Sequence, residues 1–424
     1  MAKSKTPSFI VTLNLNPEIY QKHLLDQRFE IGRKVYNQVL SHANKQLQLL
    51  LESKRYRALL AEYRAAKKGN KKAISDQLSA LRFEFGLSEY QLHAFVRPIQ
   101  KHHKKHIDSH TAQKIASTAW ESISAVLFKK GKRVHFKKYG QLESLENKSN
   151  GSGMNYENNT FEWVGLTLRA APRKSDQWLH EALTHRVKYC RIMRRIIRGR
   201  VVYQLQLIME GYPPAKRTPD GTFMHEQGTG RVGIDIGVST VAIVAESGVS
   251  LRVLGAPTTK AEDKLIKCLK HKLDRSRRQT NPGNYNLDGT IKRGVKLNWI
   301  RSNRYTKTLM ALKEAARLRA THLKMSHNQL ANEVVALGNE AFVEKMNFAG
   351  LKKRVKKTTK NKKTGKFNSK KRFGKSINNN APAMLVEIIK RKLGYQKQIL
   401  QKINTKTFRS EERRVGKECR YRWS

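Results

Sequence analysis

Cysteine is scarce in this chain, and long apolar stretches are absent. The 424 residues contain three cysteines, Cys190, Cys268 and Cys419, which are odd in number and lie far apart. This pattern argues against a disulfide framework and against an all-cysteine zinc site, and we expect no zinc. No apolar run of about 18 residues, signal peptide or lipidation motif occurs, which predicts a cytoplasmic protein with no membrane partner.

Acidic residues are also few for the number of basic ones. Lys and Arg number 86 against 33 Asp and Glu, so the formal net charge is +53. A like-charge excess of this size repels itself unless a polyanion neutralises it. Nucleic acid is the natural partner, because each phosphate contact releases counterions and strengthens binding at low salt. A structural basic protein, such as a ribosomal one, is the alternative at this point.

The first half of the sequence is a β-rich frame interrupted by helices. SFIVTLNL alternates like a strand, and apolar residues then recur at helical spacing up to about residue 128. Short strands follow, including GKRVHFKK, FEWVGLTLRA and VVYQLQLIME. We therefore predict a β-barrel-like domain made of residues 1–16 and 129–212, with a helical domain of residues 17–128 inserted into it.

The second half begins after a segment rich in Pro and Gly, residues 213–230, which we predict to be a linker. RVGIDIGVSTVAIVAESGVSLRVL then indicates two or three antiparallel strands. Helices are expected at about 260–279 and 299–336, followed by the strand EAFVEKMNF. A last helix is predicted from Pro382 to about Asn404.

Two acids in this second half are candidates for metal binding. Gly233 and Gly237 flank Asp235 and leave its carboxylate unshielded, and Glu344 ends the strand AFVEK. A mixed sheet of three strands, a helix and a fourth strand can bring the fourth strand beside the first. Paired carboxylates that hold Mg²⁺ ions about 3.5–4 Å apart clamp the attacking and leaving oxygens of a phosphodiester. The alternative is that Glu344 is a solvated charge at a strand end.

The turn after Asp235 also admits a different interpretation. GIDIGVST resembles the first phosphate-binding hairpin of actin-like ATPases, chaperones and sugar kinases. No second strand carries a D-x-G phosphate loop, however, and no Gly-rich adenosine segment follows it. A net charge of +53 also suits a polymer substrate better than ATP.

Basic residues that we predict to contact nucleic acid fall into four groups. KRVHFKKYG and VKYCRIMRRIIRGR would place cations on β-edges suited to structured RNA. In the helical hairpin, basic residues alternate with Tyr285, Trp299 and Tyr305, which suits phosphate contact and base stacking, although a merely solvated face is the alternative. Residues 351–375 contain 13 Lys or Arg and no acid, and we expect them to be disordered until nucleic acid binds. The predicted contacts are Arg133, Lys137, Lys138, Arg194, Arg195, Arg275, Arg277, Arg278, Arg301, Arg304, Lys352 and Lys353.

In order and spacing, these features resemble the TnpB family of transposon-encoded RNA-guided DNA endonucleases, which are related to type V CRISPR effectors. The resemblance runs from Phe9 to about Phe408. It includes HTAQKIASTAWESISAVLFKKGKRVHFKKYG, RVGIDIGVSTVAIV, SHNQLANEVVALGNEAFVEKMNFAGL and KSINNNAPAMLVEIIKRKLGYQ. It implies an α+β multidomain protein in which a β-barrel-like wedge domain and a helical recognition domain precede an RNase H-like (RuvC) α/β nuclease domain, residues 231–408.

The resemblance also implies partners and a cofactor. They are a transposon-derived guide RNA, target DNA and Mg²⁺ at a two-metal site, with association with the nucleoid when the protein is bound to DNA. Asp235 and Glu344 match the first two catalytic acids and metal ligands of the family.

The family pattern needs a third acid, an Asp in a short helix after a further strand, which we expect beyond the end of this chain. RSEERRVGKECRYRWS, residues 409–424, is similar to a translated sequencing adapter or vector read-through, so we expect a non-native tail and an incomplete nuclease domain. The CxxC…CxxC zinc ribbon of many members is absent as well. Either this branch of the family lacks the ribbon, or the ribbon belongs to the missing segment. Cleavage is then expected to be weak or nil. The alternative is a non-catalytic nucleic-acid-binding remnant of a transposon protein.

Overall fold

The computed structural model describes residues 6–67, 69–254, 257–353, 358–361, 364–365, 367 and 373–404. The chain is a mixed α+β protein that divides into two compact units, Met1–Pro214 and Ala215–Ser424. No helix within the described residues has an apolar stretch long enough to cross a membrane. The predicted non-native tail, residues 409–424, lies outside the described residues.

Helices in the first unit follow the predicted pattern closely. They are α1 (Ile19–Glu52), α2 (Lys54–Ala65), α3 (Lys71–Glu84), α4 (Glu89–His102), α5 (Ser109–Leu127) and the short α6 (Gln177–Ala182). Side-chain caps fix several of their starts, since Asp108 accepts from the Thr111 amide at 2.9 Å and Ser88 accepts from the Gln91 amide at 3.3 Å. The helical pattern predicted up to about residue 128 is confirmed, and it is divided among the five helices α1 to α5.

Strands of the first unit form two sheets. They are β1 (Ser8–Leu15), β2 (Ser144–Glu146), β3 (Met154–Glu157), β4 (Thr160–Trp163), β5 (Leu166–Arg169), β6 (Val187–Ile197) and β7 (Arg200–Glu210). One sheet has the order β1-β7-β6-β2 and the other the order β3-β4-β5. The described strands of this unit thus fall into two hydrogen-bonded sheets, whereas the sequence predicts one β-barrel-like domain. Left-handed turn residues, Asn158, Asn159, Val164 and Gly165, reverse the chain so early that β3, β4 and β5 form a meander of their own.

The predicted strand GKRVHFKK is also wrong, because residues 128–143, which the structure describes in full, contain no strand. Instead, the side-chain amide of Asn37 on α1 binds the backbone of Lys137. Asn37 Nδ2 donates to the Lys137 carbonyl and the Lys137 amide donates to Asn37 Oδ1, both at 2.9 Å. Arg33 adds a bond to the same carbonyl at 3.2 Å. The backbone partners that a sheet would supply are thus replaced by helix side chains.

Elements of the second unit include five strands. They are β8 (Arg231–Ile236), β9 (Thr240–Ala245), β10 (Gly248–Val253), α7 (Pro257–Thr280), α8 (Asn303–Leu337), β11 (Glu340–Glu344), α9 (Phe348–Lys352), α10 (Gly374–Asn380), α11 (Pro382–Tyr395) and β12 (Gln401–Ile403). The sheet order is β10-β9-β8-β11-β12. β8, β9 and β10 are antiparallel, whereas β11 runs parallel to β8 and β12 runs parallel to β11. The prediction that the fourth strand of this sheet lies beside the first is confirmed.

One face of this sheet is covered by helices. Buried side chains of β8, β9 and β11 pack with buried side chains of α8 and α11 in a single apolar cluster. The cluster is made of Val232, Ile234, Ile236, Val241, Ile243, Leu254, Leu330, Ala331, Val334, Val335, Ala341, Val343, Leu385, Ile388, Ile389, Leu393 and Leu400. This packing decides which strand residues turn towards the core and which turn to the other face.

The last predicted helix ends earlier than expected. α11 ends at Tyr395 rather than near Asn404, and β12 follows it. Lys397 adopts a left-handed conformation with φ of 62°, and the Gln398 amide donates to the Leu393 carbonyl at 2.9 Å, which closes the helix.

The cation run, residues 351–375, is described only in part. Leu351 and Lys352 end α9, and Gly374 and Lys375 begin α10, so both ends of the run are helical rather than disordered. Most of the residues between them lie outside the described residues.

Candidate active site

Alternation along two strands places the two predicted acids on one face. β8 buries Ile234 and Ile236, so Asp235 between them turns away from the helices. β11 buries Val343, which turns Glu344 to the same side. The carboxylates thus stand on the face of the sheet opposite the apolar cluster.

Register places the same two residues side by side. The parallel pairing of β8 and β11 runs from Arg231 and Glu340 to Ile234 and Val343. Asp235 and Glu344 are the next residues on the two strands, and adjacent strands lie about 4.8 Å apart. Both acids are therefore at the same level of the sheet, near the carboxyl ends of parallel strands, although 109 residues of sequence separate them.

Surroundings of the two acids differ. Asp235 is exposed, and no described group donates a hydrogen bond to its carboxylate or forms an ion pair with it. Glu344 is half-buried and lines a cavity of about 200 Å³ with Glu387 of α11 and the lysines Lys345 and Lys402. Glu387 is not singled out by the sequence, where it is one more polar residue on the exposed side of an amphipathic helix.

Chemistry at this face fits part of a Mg²⁺ site. Carboxylate oxygens are the ligands that Mg²⁺ prefers, and the ion usually keeps several waters while one or two carboxylates and a substrate phosphate complete its shell. Asp235 and Glu344 supply two such carboxylates. Across the described ranges, however, no three His, Cys, Asp or Glu side chains are grouped as metal ligands.

The turn after Asp235 is a closed hairpin. The Gly237 amide donates to the Thr240 carbonyl at 2.9 Å, and the Leu254 amide donates to the Ser239 carbonyl at 2.7 Å. A Cβ atom on Gly237 would lie 3.1 Å from the Thr240 carbonyl oxygen, so the turn leaves little room for a larger residue. Because the Gly237 amide is already bonded, it is not available to a phosphate, which disfavours the ATPase interpretation.

The loop between α7 and α8 contains an internal aromatic–arginine cluster. Tyr285 and Trp299 meet edge to face, with 5.9 Å between ring centroids. Arg277 lies over Trp299 at 5.3 Å and Arg278 over Tyr285 at 5.0 Å, and Asp274 pairs with both arginines, at 2.9 and 2.8 Å. Two of the three rings that we predict to stack on bases, Tyr285 and Trp299, are therefore in contact with arginines at the end of α7. Trp299 also precedes α8 rather than lying within it.

Other arginines of this hairpin are open to solvent. Arg275, Arg301 and Arg304 are exposed, and neither an ion pair nor a hydrogen bond engages their guanidinium groups among the described residues. Lys352 and Lys353, at the end of α9, are exposed as well. These five positions can reach a phosphate without giving up an internal contact.

Arg194 is not available for nucleic acid, which contradicts our prediction. Its guanidinium donates to Asp26 at 2.9 Å and to Glu30 at 3.0 Å, and it lies 4.8 Å from the centroid of Phe29. Only 10% of the side chain is exposed. The two acids come from α1, more than 160 residues earlier, so local sequence around Arg194 gives no sign of this contact.

The remaining predicted contacts of the first unit lie at its surface. Arg195 is exposed at the end of β6, and Arg133 and Lys138 are exposed in the irregular segment before β2. Lys137 is half-buried, with its ammonium group 5.1 Å from the centroid of Tyr36. None of these three exposed cations pairs with an acid in the part of the chain that the structure covers.

Among the solved structures that are similar to this chain are two Cas12f complexes. No protein-family profile and no curated protein matches the chain. A cryo-EM structure of the Cas12f1–sgRNA–target DNA complex matches over 94% of this chain and 89% of that chain, with 11% identity and a TM-score of 0.43. A cryo-EM structure of a CRISPR-Cas12f ternary complex matches over 92% and 75%, with 14% identity and a TM-score of 0.27. Both TM-scores are low, so the function proposed below depends on the residues of this chain alone.

Proposed function

We propose that the chain is an RNA-guided DNA endonuclease of the TnpB type, associated with a transposon, in which Asp235 and Glu344 form the acid pair of a Mg²⁺ site. The observation that carries the proposal is the placement of both acids side by side on one sheet face. The sheet itself supports it, since three antiparallel strands, helices and a fourth strand beside the first are what an RNase H-like domain requires. The net charge of +53 supports a polyanionic substrate.

The acids and the arginines of the proposed site have different roles. Asp235 offers an exposed carboxylate without a competing partner, and Glu344 offers a second one from the neighbouring strand. Asp235 and Glu344 would hold Mg²⁺, and the chemistry that this ion would supply is polarisation of the phosphodiester and activation of a water. Arg275, Arg301 and Arg304 would contact backbone phosphates and set the position of the strand, since phosphate contacts position a nucleic acid without reading its sequence.

Divalent-metal binding is the first test of this proposal. Mn²⁺, which substitutes for Mg²⁺ and is visible by electron paramagnetic resonance, would be titrated into the wild-type chain and into Asp235→Asn and Glu344→Gln. We expect a site in the wild type that each substitution weakens at least tenfold. Glu340→Gln, an exposed acid on the same strand as Glu344, is the matched control. Equal Mn²⁺ binding by all four proteins would overturn the assignment.

Guide RNA is tested separately, by expressing the chain together with its own flanking genomic DNA. RNA that copurifies would be sequenced and compared with RNA recovered from a parallel expression without that DNA. A single transcript from the flanking region is the expected result. Only random host RNA in both preparations would contradict the guide.

A second candidate function is nucleic-acid binding without cleavage. The observation that favours it is the lack of a third metal ligand beside Asp235 and Glu344 in the described part of the chain. This candidate predicts tight RNA or DNA binding that does not depend on Mg²⁺, with Asp235→Asn binding nucleic acid as the wild type does. DNA cleavage that requires Mg²⁺ and Asp235 would exclude it.

A further inference from the structure

We propose that Asn380 is a positioning residue for the turn that follows Asp235, an inference that rests on the proposed function of that acid. Asn380 is the last residue of α10, and its side-chain amide donates to the carbonyl of Val238 at 2.9 Å. The two residues lie 142 positions apart in the sequence. This bond connects the end of α10 to the hairpin between β8 and β9.

The hairpin tip has three consecutive carbonyls, and each accepts a hydrogen bond. Thr240 accepts from Gly237 and Ser239 accepts from Leu254, both backbone to backbone. Val238 accepts from Asn380, and this is the contact that comes from outside the β-sheet and its loops. Loss of the Asn380 amide would therefore free the first residue of the tip, three residues after Asp235, while leaving the sheet bonds in place.

Asn380 can hold the turn because two side chains of α8 fix the backbone at the end of α10. The buried ring of His327, on α8, lies with Nε2 2.9 Å from the Asn380 carbonyl and must donate, since the carbonyl can only accept. Arg319, also on α8, donates to the preceding carbonyl of Asn379 at 3.1 Å and pairs with Asp263 of α7 at 2.5 Å. The end of α10 is thus anchored to α8 at two carbonyls, and Asp263 of α7 holds Arg319 in place.

The backbone after Asn380 adds to this rigidity. Ala381 adopts a left-handed conformation with φ of 43°, its amide donates to Ile377 at 2.9 Å, and Pro382 begins α11 immediately. A non-glycine residue in this conformation persists only where its surroundings enforce it. The Asn380 side chain therefore has little freedom to follow the turn if the turn moves.

Such a support matters for metal binding rather than for folding alone. A pair of carboxylates holds a metal well only when both stay within about 0.5 Å of the required geometry. Replacement of a residue that orients a metal ligand without binding the metal itself typically lowers metal affinity 10–100-fold. Asp235 lies near the end of β8, where the strand passes directly into the turn that Asn380 holds.

Asn380→Ala is the decisive variant, and Asn378→Ala is its matched control, because Asn378 is an exposed asparagine of the same helix. Mn²⁺ affinity would be measured by electron paramagnetic resonance, together with amide hydrogen exchange over residues 236–241. We expect Asn380→Ala to weaken Mn²⁺ binding about tenfold and to speed exchange at the turn about tenfold. Asn378→Ala should change neither.

The outcomes separate the positioning role of Asn380 from the proposed function of Asp235. If the wild type binds Mn²⁺ and Asn380→Ala binds it equally well, the positioning role is wrong while the acid pair stands. If the wild type itself shows no Mn²⁺ site that depends on Asp235, the proposed function has failed instead. Asn380→Ser, a smaller change that cannot reach Val238, replaces the alanine variant if that does not fold. Unfolding of both would show a role in stability, which contradicts the proposal.

Discussion

Arg28 is a cation held in the interior of the first unit. Its guanidinium donates to the carbonyls of Trp163 and Val164, at 2.5 and 2.6 Å, and lies 4.8 Å from the centroid of the Trp163 ring. Burial lowers its pKa to about 10, and the nearby charge of Asp108 opposes that shift, so the group stays protonated at neutral pH. Val164 has φ of 45°, a conformation that a β-branched residue rarely adopts. Arg28 therefore stabilises the turn at Val164, where a β-branched residue disfavours the backbone conformation.

We predict that Arg28→Met lowers the free energy of unfolding of the first unit by about 3 kcal/mol, because two carbonyls lose a charged donor. Urea denaturation followed by tryptophan fluorescence measures the change. Arg97→Met, an exposed arginine on α4, should stay within about 0.5 kcal/mol of the wild type. A similar loss in both variants would show that the buried contacts are not the cause.

His327 links stability of the second unit to pH. Burial lowers the pKa of this histidine, against the opposing effect of its hydrogen bonds to the backbone of Asn380 and Ala381. The native state therefore keeps the ring neutral where the unfolded chain, with an ordinary pKa near 6.5, already binds a proton. Stability is full above about pH 6.5 and falls as the pH drops towards the lowered native pKa.

The corresponding prediction concerns His327→Gln. This variant keeps an amide donor but does not titrate, so its free energy of unfolding should depend less on pH below about 6.5 than that of the wild type. Urea denaturation at several pH values gives both curves. His271→Gln, an exposed histidine on α7, should follow the wild-type curve. Parallel curves for His327→Gln and the wild type would refute the assignment.

At the scale of elements, asparagine side chains repeatedly take the place of a neighbouring strand as the partner of a backbone N–H and C=O pair. Asn37 binds both backbone groups of Lys137, Asn150 binds both of Tyr156, and Asn281 binds both of Ile300. A side-chain amide has the same donor and acceptor as a peptide bond, which explains the use. Each contact closes a loop that the sequence alone leaves open.

We predict that Asn37→Ala loosens residues 133–141 without unfolding α1. Amide exchange over that segment should speed up about tenfold, and the free energy of unfolding should fall by about 1–2 kcal/mol because two backbone groups lose their partner. Gln48→Ala, exposed on the same helix, is the control and should leave exchange in the segment unchanged. Unchanged exchange in Asn37→Ala would mean that other contacts hold the segment.

Elements also differ in how well the sequence predicts them. The long helices before residue 129 follow from apolar spacing and side-chain caps, which are local signals. β12 was missed because the helical pattern of α11 continues into Ile399 and Leu400, and the strand forms only by pairing with β11. The strand predicted at GKRVHFKK does not form, for the opposite reason. Its residues alternate as in a strand, but the side chain of Asn37 binds the backbone groups of Lys137 that a neighbouring strand would otherwise bind.

At the scale of the whole molecule, the charge of +53 predicts binding that depends strongly on salt. Affinity for double-stranded DNA should fall by about 10³ or more between 50 and 200 mM salt. Replacing Arg275, Arg301 and Arg304 together by Gln should make the slope of log affinity against log salt shallower by about 2–3. Fluorescence anisotropy with a labelled duplex measures both slopes.

The matched control removes the same charge elsewhere in the same unit. Lys260, Lys264 and Lys267 are exposed on α7, and their triple replacement by Gln leaves the net charge equal to that of the arginine variant. We expect this control to keep nearly the wild-type slope. Identical slopes for both variants would show that total charge, rather than the arginines of the hairpin, sets the affinity.

For the candidate site, the sequence predicts which residues take part better than it predicts the contacts that each of them makes. The adjacency of Asp235 and Glu344 follows from their positions on two strands and from one assumption about sheet order. Arg194 could not be judged in this way, since Asp26 and Glu30 meet it only through the fold. Asn380 gives no local signal either, because an asparagine before Ala and Pro is typical of any helix end.

The pairing of β1 with β7 determines the order in which the first unit can fold while it is being synthesised. Ser8 pairs with Glu210, so the first strand leaves the ribosome long before its partner is made. At about 5–20 residues per second, this delay is roughly 10–40 s. Phe9, Val11 and Leu13, all buried in the finished unit, have no sheet to join in that interval. We expect the helices between Ile19 and Leu127 to fold first in the nascent chain. The apolar side chains of β1 would then pack against these helices until β7 has been synthesised.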